Sequence, residues 1–257
     1  MTSDPSRIDG PREVQRFEKL GFDRFRDLAL DPSLTEVEKM GGARGHREGY
    51  DDAIWACLRQ LLPALEREGS RILDIGSGCG EIARRLIALS ERRGHHLTMV
   101  DHPEMHDQLP ASPVVERIGG RFPEAMPPEV GEGYDVVLAY SVLHYVVVDS
   151  NPFAFLDAAM ARLRPGGRLL IGDVPNFSKL RRFLSSEAGA VFHKAYMKTE
   201  AAPDVPPFAP ATDRIDDGLL TGLVLRARLA GFDAYLLPQP PDLPLANRRE
   251  DLLIVRP

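Results

Sequence analysis

The chain has 257 residues, of which 43% are hydrophobic and 27% are charged, and its formal net charge is −6. This predicts either one large globular domain or a domain plus an appendage, and the negative charge without a basic run argues against non-specific nucleic-acid binding. The longest apolar stretch, Val136 to Val148, is interrupted by Ser141 and His144 and is too short for a membrane span; the first residues do not resemble a secretion signal, and two separated cysteines fit a cytoplasmic protein.

The N-terminal part of the chain, residues 1–69, is expected to form a helical cap ahead of the first strand. Ser33 and Glu36 have the spacing of a capping box at the start of a short helix. A stronger amphipathic pattern predicts one helix over Asp51 to Arg67.

A glycine-rich turn follows the first predicted strand. The strand ends at Asp74, three alternating glycines follow at once (Gly76, Gly78 and Gly80), and a helical pattern starts at Glu81. Glycine lets the backbone bend sharply and approach a ligand closely, and the free N–H groups of the next helix face that ligand. This order of elements predicts a nucleotide-sized site.

Three interpretations of this turn compete. A dinucleotide site requires G-x-G-x-x-G, but Glu81 stands where the third glycine belongs and would place negative charge beside a pyrophosphate. The second interpretation is a plain turn that binds no ligand. The third rests on D-x-G-x-G-x-G, which Asp74 opens and which resembles motif I of the class I S-adenosyl-L-methionine (SAM) methyltransferases. SAM carries a sulfonium and an ammonium, so acidic neighbours suit it.

The second predicted strand, His96 to Asp101, also ends in a carboxylate. Such an acid can accept hydrogen bonds from the ribose hydroxyls of an adenosine, which SAM and NAD share, or it can cap the helix that Pro103 opens. In the family that motif I resembles, this acid holds the ribose. Arg121 stands where family members often carry an acid. The resemblance implies a cofactor site formed by Asp74, Gly76, Ser77, Gly78, Asp101, Phe122 and Tyr140.

The rest of the chain alternates between predicted strands and helices, which favours an open parallel sheet covered on both faces. Only Pro238 to Arg249 separates the last two strands, so these should form an antiparallel hairpin. That ending resembles the methyltransferase sheet and differs from an NAD domain. We expect an α/β fold: a Rossmann-like, mostly parallel seven-stranded sheet with an antiparallel last strand, plus the N-terminal helical cap. The predicted later strands are Val114 to Gly119, Tyr134 to Tyr140, Arg168 to Val174, Phe232 to Leu237 and Asp251 to Val255.

The resemblance covers about residues 50–257. The segments 134–137 and 163–169 also resemble that family and support it. It implies that the cap (1–69) covers the cofactor and shapes an acceptor pocket, whereas a simple packing appendage is the alternative. The SAM-binding domain is expected at 70–257, with an insertion at about 176–211. Long insertions of this kind often carry binding elements.

Candidate catalytic residues follow from the chemistry. Methyl transfer from a sulfonium mainly requires alignment of donor and acceptor, and a hydroxyl acceptor must also lose a proton to a base. His144 after strand four, Asp173 after strand five and His193 in the insertion are the candidates. The structural alternatives are a packed histidine for His144 and, for Asp173, a carboxylate bound to local backbone N–H groups.

The insertion is locally basic, which is typical either of an anionic acceptor site, such as one for phosphate, or of a solvated helix face. The second half of the chain weakly resembles methyltransferases of bacterial surface-glycan clusters, which suggests a sugar-type acceptor. His102 and His106 are four residues apart but lack a third ligand, so no metal site is expected. The basic residues of the insertion are Lys179, Arg181, Arg182, His193, Lys194 and Lys198.

The sequence therefore predicts a SAM-dependent methyltransferase that acts on O or N of a small polar acceptor. A module that binds SAM or its product without turnover is the alternative, and an NAD-dependent oxidoreductase is the least favoured. Neither nucleic acid nor membrane is an expected partner, and the oligomeric state is open between monomer and homodimer.

Overall fold

The computed structural model describes residues 20–42, 49–127, 131–205 and 214–257. The strands are β1 (Arg71–Ile75), β2 (His96–Asp101), β3 (Val115–Gly119), β4 (Tyr134–Tyr140), β5 (Leu163–Pro175), β6 (Asp233–Pro238) and β7 (Arg249–Val255). The helices are α1 (Phe22–Leu30), α2 (Glu36–Lys39), α3 (Asp51–Leu61), α4 (Glu81–Arg93), α5 (Pro103–His106), α6 (Leu143–Asp149), α7 (Pro152–Ala161), α8 (Phe177–Leu184), α9 (Glu187–Met197) and α10 (Asp217–Leu229). None of these described helices combines the length and apolar character needed to cross a bilayer.

The strands form one seven-stranded sheet in the order β3-β2-β1-β4-β5-β7-β6. The pairs from β3 to β5 are parallel, whereas β7 is antiparallel to both of its neighbours. This confirms the predicted fold class and the terminal hairpin. From β1 the chain winds outward to β3 at one edge of the sheet, and β4 then lies on the other side of β1. The winding direction therefore reverses between β1 and β4.

The central strands are buried on both faces, which explains their continuous apolar sequences. On one face, Leu73 and Val137 join a core cluster with residues of α7 and α10. On the other face, Ile72 and Val136 join a second cluster with residues of α3 and α4. Because side chains alternate along a strand, each strand contributes to both cores.

Three predicted boundaries were wrong by two residues or more. The predicted helix over Asp51 to Arg67 ends at Leu61, because Pro63 cannot continue it and instead opens a 3₁₀ turn. β5 begins at Leu163, which pairs with Tyr134 ahead of a register shift, and not at Arg168. β7 begins two positions before Asp251, at the residue that pairs with the end of β5.

The predicted capping box is also misplaced. Thr35, not Ser33, caps the helix: its hydroxyl accepts a hydrogen bond from the Glu38 N–H at 3.4 Å, and the Glu38 carboxylate accepts from the Thr35 N–H at 2.8 Å. Ser33 instead belongs to the preceding turn, where its N–H donates to Asp31.

The glycine turn lies where the winding direction reverses, at the carboxyl end of β1. Its first glycine, Gly76, has φ +68° and donates its N–H to the Val100 carbonyl at 2.8 Å. A Cβ atom at this position would lie 2.6 Å from Val142 Cγ2, in the segment that follows β4. The turn therefore depends on glycine for its backbone angle and for the close approach of the neighbouring strand end.

Gly76→Ala should destabilise the protein more than Gly94→Ala does. Gly94 has φ +62° but open space around its Cβ position, so its substitution carries only the left-handed backbone cost of about 1–2 kcal/mol. At Gly76 the contact with Val142 should add a cost of about 1–3 kcal/mol. Urea denaturation of both variants measures the difference, and equal losses would show that Val142 gives way.

Candidate active site

A cavity of about 240 Å³ opens at the carboxyl ends of β1, β2 and β4. This is the edge of an open α/β sheet where ligands bind, beside the reversal of the winding direction. Its wall contains all seven residues that the sequence assigns to the cofactor: Asp74, Gly76, Ser77, Gly78, Asp101, Phe122 and Tyr140.

Asp101 joins β2 to the glycine turn. Its Oδ2 atom accepts a hydrogen bond from the Gly78 N–H at 2.7 Å, and its Oδ1 atom accepts one from the His102 N–H at 2.7 Å. Burial raises the pKa of Asp101, and these two bonds oppose that shift. A carboxylate has about four acceptor positions, so Asp101 can hold the turn and still accept hydrogen bonds from a ligand hydroxyl.

Asp74 brings a second carboxylate to the same wall. Burial, reinforced by the negative charge of Asp101, raises its pKa from 3.8 to about 7. Near neutral pH this acid therefore exchanges between its protonated and ionised forms. A cation in the cavity would favour the ionised form, because it would replace some of the solvation that burial removes.

Ser77 is positioned by a buried histidine. Its hydroxyl lies 3.4 Å from His106 Nε2, on a side chain that is 4% exposed. Burial and the nearby Arg117 lower the pKa of His106 to about 4, so the imidazole is neutral at physiological pH and orients the hydroxyl without adding charge.

The cap forms the outer wall of the cavity. The ring of Phe22 stacks on His102 at 3.8 Å, and Phe25 meets Tyr145 edge to face at 4.6 Å. Met40 covers the glycine turn, since its Cε lies 2.5 Å from where a Cβ at Gly80 would stand. The described part of the cap thus contributes mainly aromatic and aliphatic side chains to the cavity.

Asp149, at the end of α6, attaches the cap to the sheet. Its Oδ2 atom accepts a hydrogen bond from the Phe22 N–H at 2.8 Å and pairs with Arg121 at 3.0 Å. The Arg121 guanidinium also lies 5.2 Å from the centre of the Phe22 ring. Arg121 and Asp149 together therefore bind the cap. Arg121 stands where members of the family that motif I resembles often carry an acid.

The segment after β4 forms the short helix α6, and one face of it lines the cavity. Val142, Tyr145, Val146 and Asp149 are on the wall, at the spacing of a single helical face. His144 points away from this face and its ring packs against Tyr145, with 3.9 Å between ring centres. This face was not predicted, because the segment after β4 was not recognised as a helix. The 3–4 residue spacing of its cavity-lining residues was the available signal.

The other two catalytic candidates also lie outside the cavity wall. Asp173 is 3% exposed, behind the cavity-lining Ser141, whose hydroxyl donates to its Oδ2 atom. His193 is on α9, in the insertion. The hydroxyl-bearing Ser141 and Tyr145 are among the wall residues that follow β4, and neither was a catalytic candidate from the sequence.

The predicted insertion folds as α8 and α9, and residues 206–211 of it lie outside the described residues. Several of its cations bind within the chain: Arg182 pairs with Asp217, Lys194 with Glu200 at 3.4 Å, and Lys179 donates to the Arg249 carbonyl at 2.8 Å. These contacts favour the interpretation of the basic excess as a solvated helix face.

The described ranges contain no group of three His, Cys, Asp or Glu side chains placed to hold a metal ion. The two histidines of H-P-E-M-H have other contacts. His102 Nε2 donates to the Phe22 carbonyl at 2.8 Å, and His106 faces Ser77.

Comparison with known proteins agrees with this geometry. A family model described as a methyltransferase domain matches residues 47–200, more than half of the chain. The 27-O-demethylrifamycin SV methyltransferase of Amycolatopsis mediterranei is 29% identical over 175 residues, which cover 63% of this chain and 58% of that protein. An uncharacterized methyltransferase of Mycobacterium tuberculosis is 33% identical over 141 residues, which cover 54% and 51%. The match thus spans little more than half of these relatives.

The fold has solved counterparts as well. The 1,6-didemethyltoxoflavin-N1-methyltransferase of Burkholderia thailandensis, solved with 1,6-didemethyltoxoflavin and S-adenosylhomocysteine, superposes with a TM-score of 0.50 at 19% identity. The alignment covers 100% of this chain and 92% of that one. Fold, glycine turn and family match agree with the sequence resemblance, and the chain belongs to the class I SAM-dependent methyltransferase family.

Proposed function

We propose that the protein transfers the methyl group of SAM to an oxygen or nitrogen atom of a small, ring-bearing acceptor bound under the cap. The observation that carries this proposal is the convergence of all seven predicted cofactor residues on one cavity, in a chain of methyltransferase family. The acceptor class rests on the chemistry of the remaining cavity wall.

The charge on the wall suits SAM as the donor. Asp74 and Asp101 are buried at the glycine turn, where a sulfonium and an ammonium would gain from nearby carboxylates. In the described part of the wall Arg121 is the basic residue, and it is paired with Asp149. A pyrophosphate would meet carboxylates at this turn and not cations, which leaves little support for NAD.

The cap favours an apolar, planar acceptor. Phe25, Met40 and Tyr145 lie together on the wall beyond the glycine turn. Aromatic side chains bind rings by stacking or edge contacts, which contribute about 0.5–1.5 kcal/mol per pair beyond the burial of apolar area. Two of the similar proteins are named for 27-O-demethylrifamycin SV and for 1,6-didemethyltoxoflavin as acceptors, which agrees with a small-molecule acceptor here.

A phosphate-bearing or sugar-type acceptor is the second candidate, and the basic insertion is the feature that favours it. Its weakness is that Arg182 and Lys194 already pair within the chain. A non-catalytic module that binds SAM without turnover is the alternative to an enzyme, and an activity measurement distinguishes the two.

An acceptor panel tests the proposed function. Purified protein with methyl-labelled SAM should release labelled methyl product and S-adenosylhomocysteine with phenol or benzylamine as ring-bearing probes, detected by mass spectrometry. Glucose 6-phosphate is the matched polar probe. Methylation of glucose 6-phosphate alone would favour the anionic acceptor, and SAM binding without any product would favour the non-catalytic module.

Asp101→Asn should weaken SAM binding by about 1–3 kcal/mol, the typical cost of leaving a buried hydrogen-bonding partner unsatisfied. The amide keeps one acceptor oxygen, so it cannot serve the Gly78 N–H, the His102 N–H and the ligand together. Calorimetric titration measures the affinity, and Asp233→Asn on the exposed end of β6 is the control. An unchanged affinity would remove Asp101 from the binding site.

SAM affinity should rise with pH up to about 7, by at most about tenfold per pH unit, because binding displaces one proton from Asp74. The sign follows from the raised pKa: below about 7 the free acid is mainly protonated, and the bound cation favours its ionised form. Asp74→Asn should remove this dependence of SAM affinity on pH, except for the part that comes from titration of SAM itself. Calorimetry between about pH 5.5 and 7.5 gives the slope of each protein, and parallel slopes would contradict this role.

A further inference from the structure

Two neighbouring strands end in residues that adopt an unusual backbone conformation. Ser141, after β4, has φ +62°, and Asp173, near the end of β5, has φ +57°. A side chain in the left-handed region is strained, which is why such positions usually hold glycine. Non-glycine residues held there cluster at functional sites, where the surrounding structure keeps the side chain in one direction.

The two strained residues are bonded to each other. The Ser141 hydroxyl donates a hydrogen bond to Asp173 Oδ2, and the Ser141 N–H donates to the Gly172 carbonyl at 2.9 Å. In the first of these bonds the hydroxyl proton of Ser141 points at Asp173. Ser141 itself lies on the cavity wall, where its oxygen can accept a hydrogen bond from a ligand.

The hairpin β6–β7 holds Asp173 in place. The Asp173 N–H donates to Asp251 Oδ1 at 2.8 Å, and Gln239 donates to the same oxygen at 3.0 Å. Arg249 donates to the Asp173 carbonyl at 2.6 Å and lies 3.3 Å from its Oδ2. The described neighbours of Asp173 thus include the cation Arg249 and the buried acid Asp251, whose pKa burial raises.

The position of Ser141 is tied to the glycine turn. The next residue, Val142, is the one that packs against Gly76, at 2.6 Å from its Cβ position. Ser141 is therefore beside the turn assigned to SAM, and it faces the same cavity as Tyr145 and the cap. The candidate base His144 lies on the same segment but is outside the wall.

We propose that Ser141 and Asp173 form a proton relay for hydroxyl acceptors, which rests on the proposed function and extends it. The acceptor O–H donates to Ser141 Oγ. As the acceptor oxygen bonds to the methyl carbon, the carbon–sulfur bond breaks and its electron pair stays on sulfur. The acceptor proton moves to Ser141 while the Ser141 proton moves to Asp173, which later releases it to water. Ser141 is the catalytic residue, and Asp173 acts through it.

The test compares Ser141→Gly and Asp173→Asn with the unaltered protein, with phenol as the acceptor. Glycine suits φ +62°, so Ser141→Gly removes the hydroxyl and relieves the strain together, and loss of folding is not expected. Ser90→Ala is the control: it removes a buried hydroxyl that donates to the Leu86 carbonyl within α4. SAM affinity and thermal unfolding are measured for every variant.

Near pH 7 both relay variants should lower kcat on phenol by at least about 10²-fold, the usual contribution of a general base, while SAM affinity holds. The difference in kcat between these variants and the unaltered protein should shrink as the pH approaches about 10, where the phenol loses its own proton. Ser90→Ala should match the unaltered protein throughout.

A loss of kcat that does not change with pH would assign Ser141 and Asp173 a structural role and overturn the relay, as would an unchanged kcat. A kcat loss in His144→Ala with Ser141→Gly unaffected would likewise favour the base predicted from the sequence. If the unaltered protein does not methylate phenol, the relay is overturned, and methylation of benzylamine then decides whether the proposed function survives.

Discussion

Two short hydrogen bonds to one carboxylate organise the site. Asp101 accepts from Gly78 in the glycine turn and from His102 at the start of the next connection, both at 2.7 Å. The turn can approach Asp101 only because Gly76 and Gly78 adopt positive φ angles. The ends of β1 and β2 are thereby fixed relative to each other, and the cavity, the cap and the segment after β4 are assembled around that fixed pair.

The cap and the sheet give the cavity two different chemistries. The sheet side offers buried carboxylates, of which Asp74 has its pKa raised to about 7, so this half suits a cationic cofactor. The cap side offers aromatic and aliphatic side chains, with Phe25 against Tyr145. Asp149 couples the halves, because it binds the Phe22 N–H of the cap and the Arg121 guanidinium of the sheet domain. The two sides of the cavity are thereby joined through one carboxylate.

The glycine-turn side of the cavity was predictable from the sequence because its signals are local. Asp74 and the glycines are consecutive along one turn, and Asp101 follows a recognisable strand. The cap side of the cavity was not, because it combines residues from α1, α2 and α6 whose proximity depends on packing. His144 shows the difference: the segment was recognised, but the direction of each side chain depends on α6 being a helix.

The sequence by itself determined the alternation of elements, the terminal hairpin and the cofactor turn, since each depends on apolar periodicity, on connection length or on glycine at a fixed spacing. Only the tertiary structure decided which polar groups face the cavity. Ser141 and Asp173 are distant in sequence and meet because Tyr140 of β4 pairs with Gly172 of β5. Met40 reaches the glycine turn because the cap folds over it. Such contacts are set by strand register and side-chain packing, which no local pattern encodes.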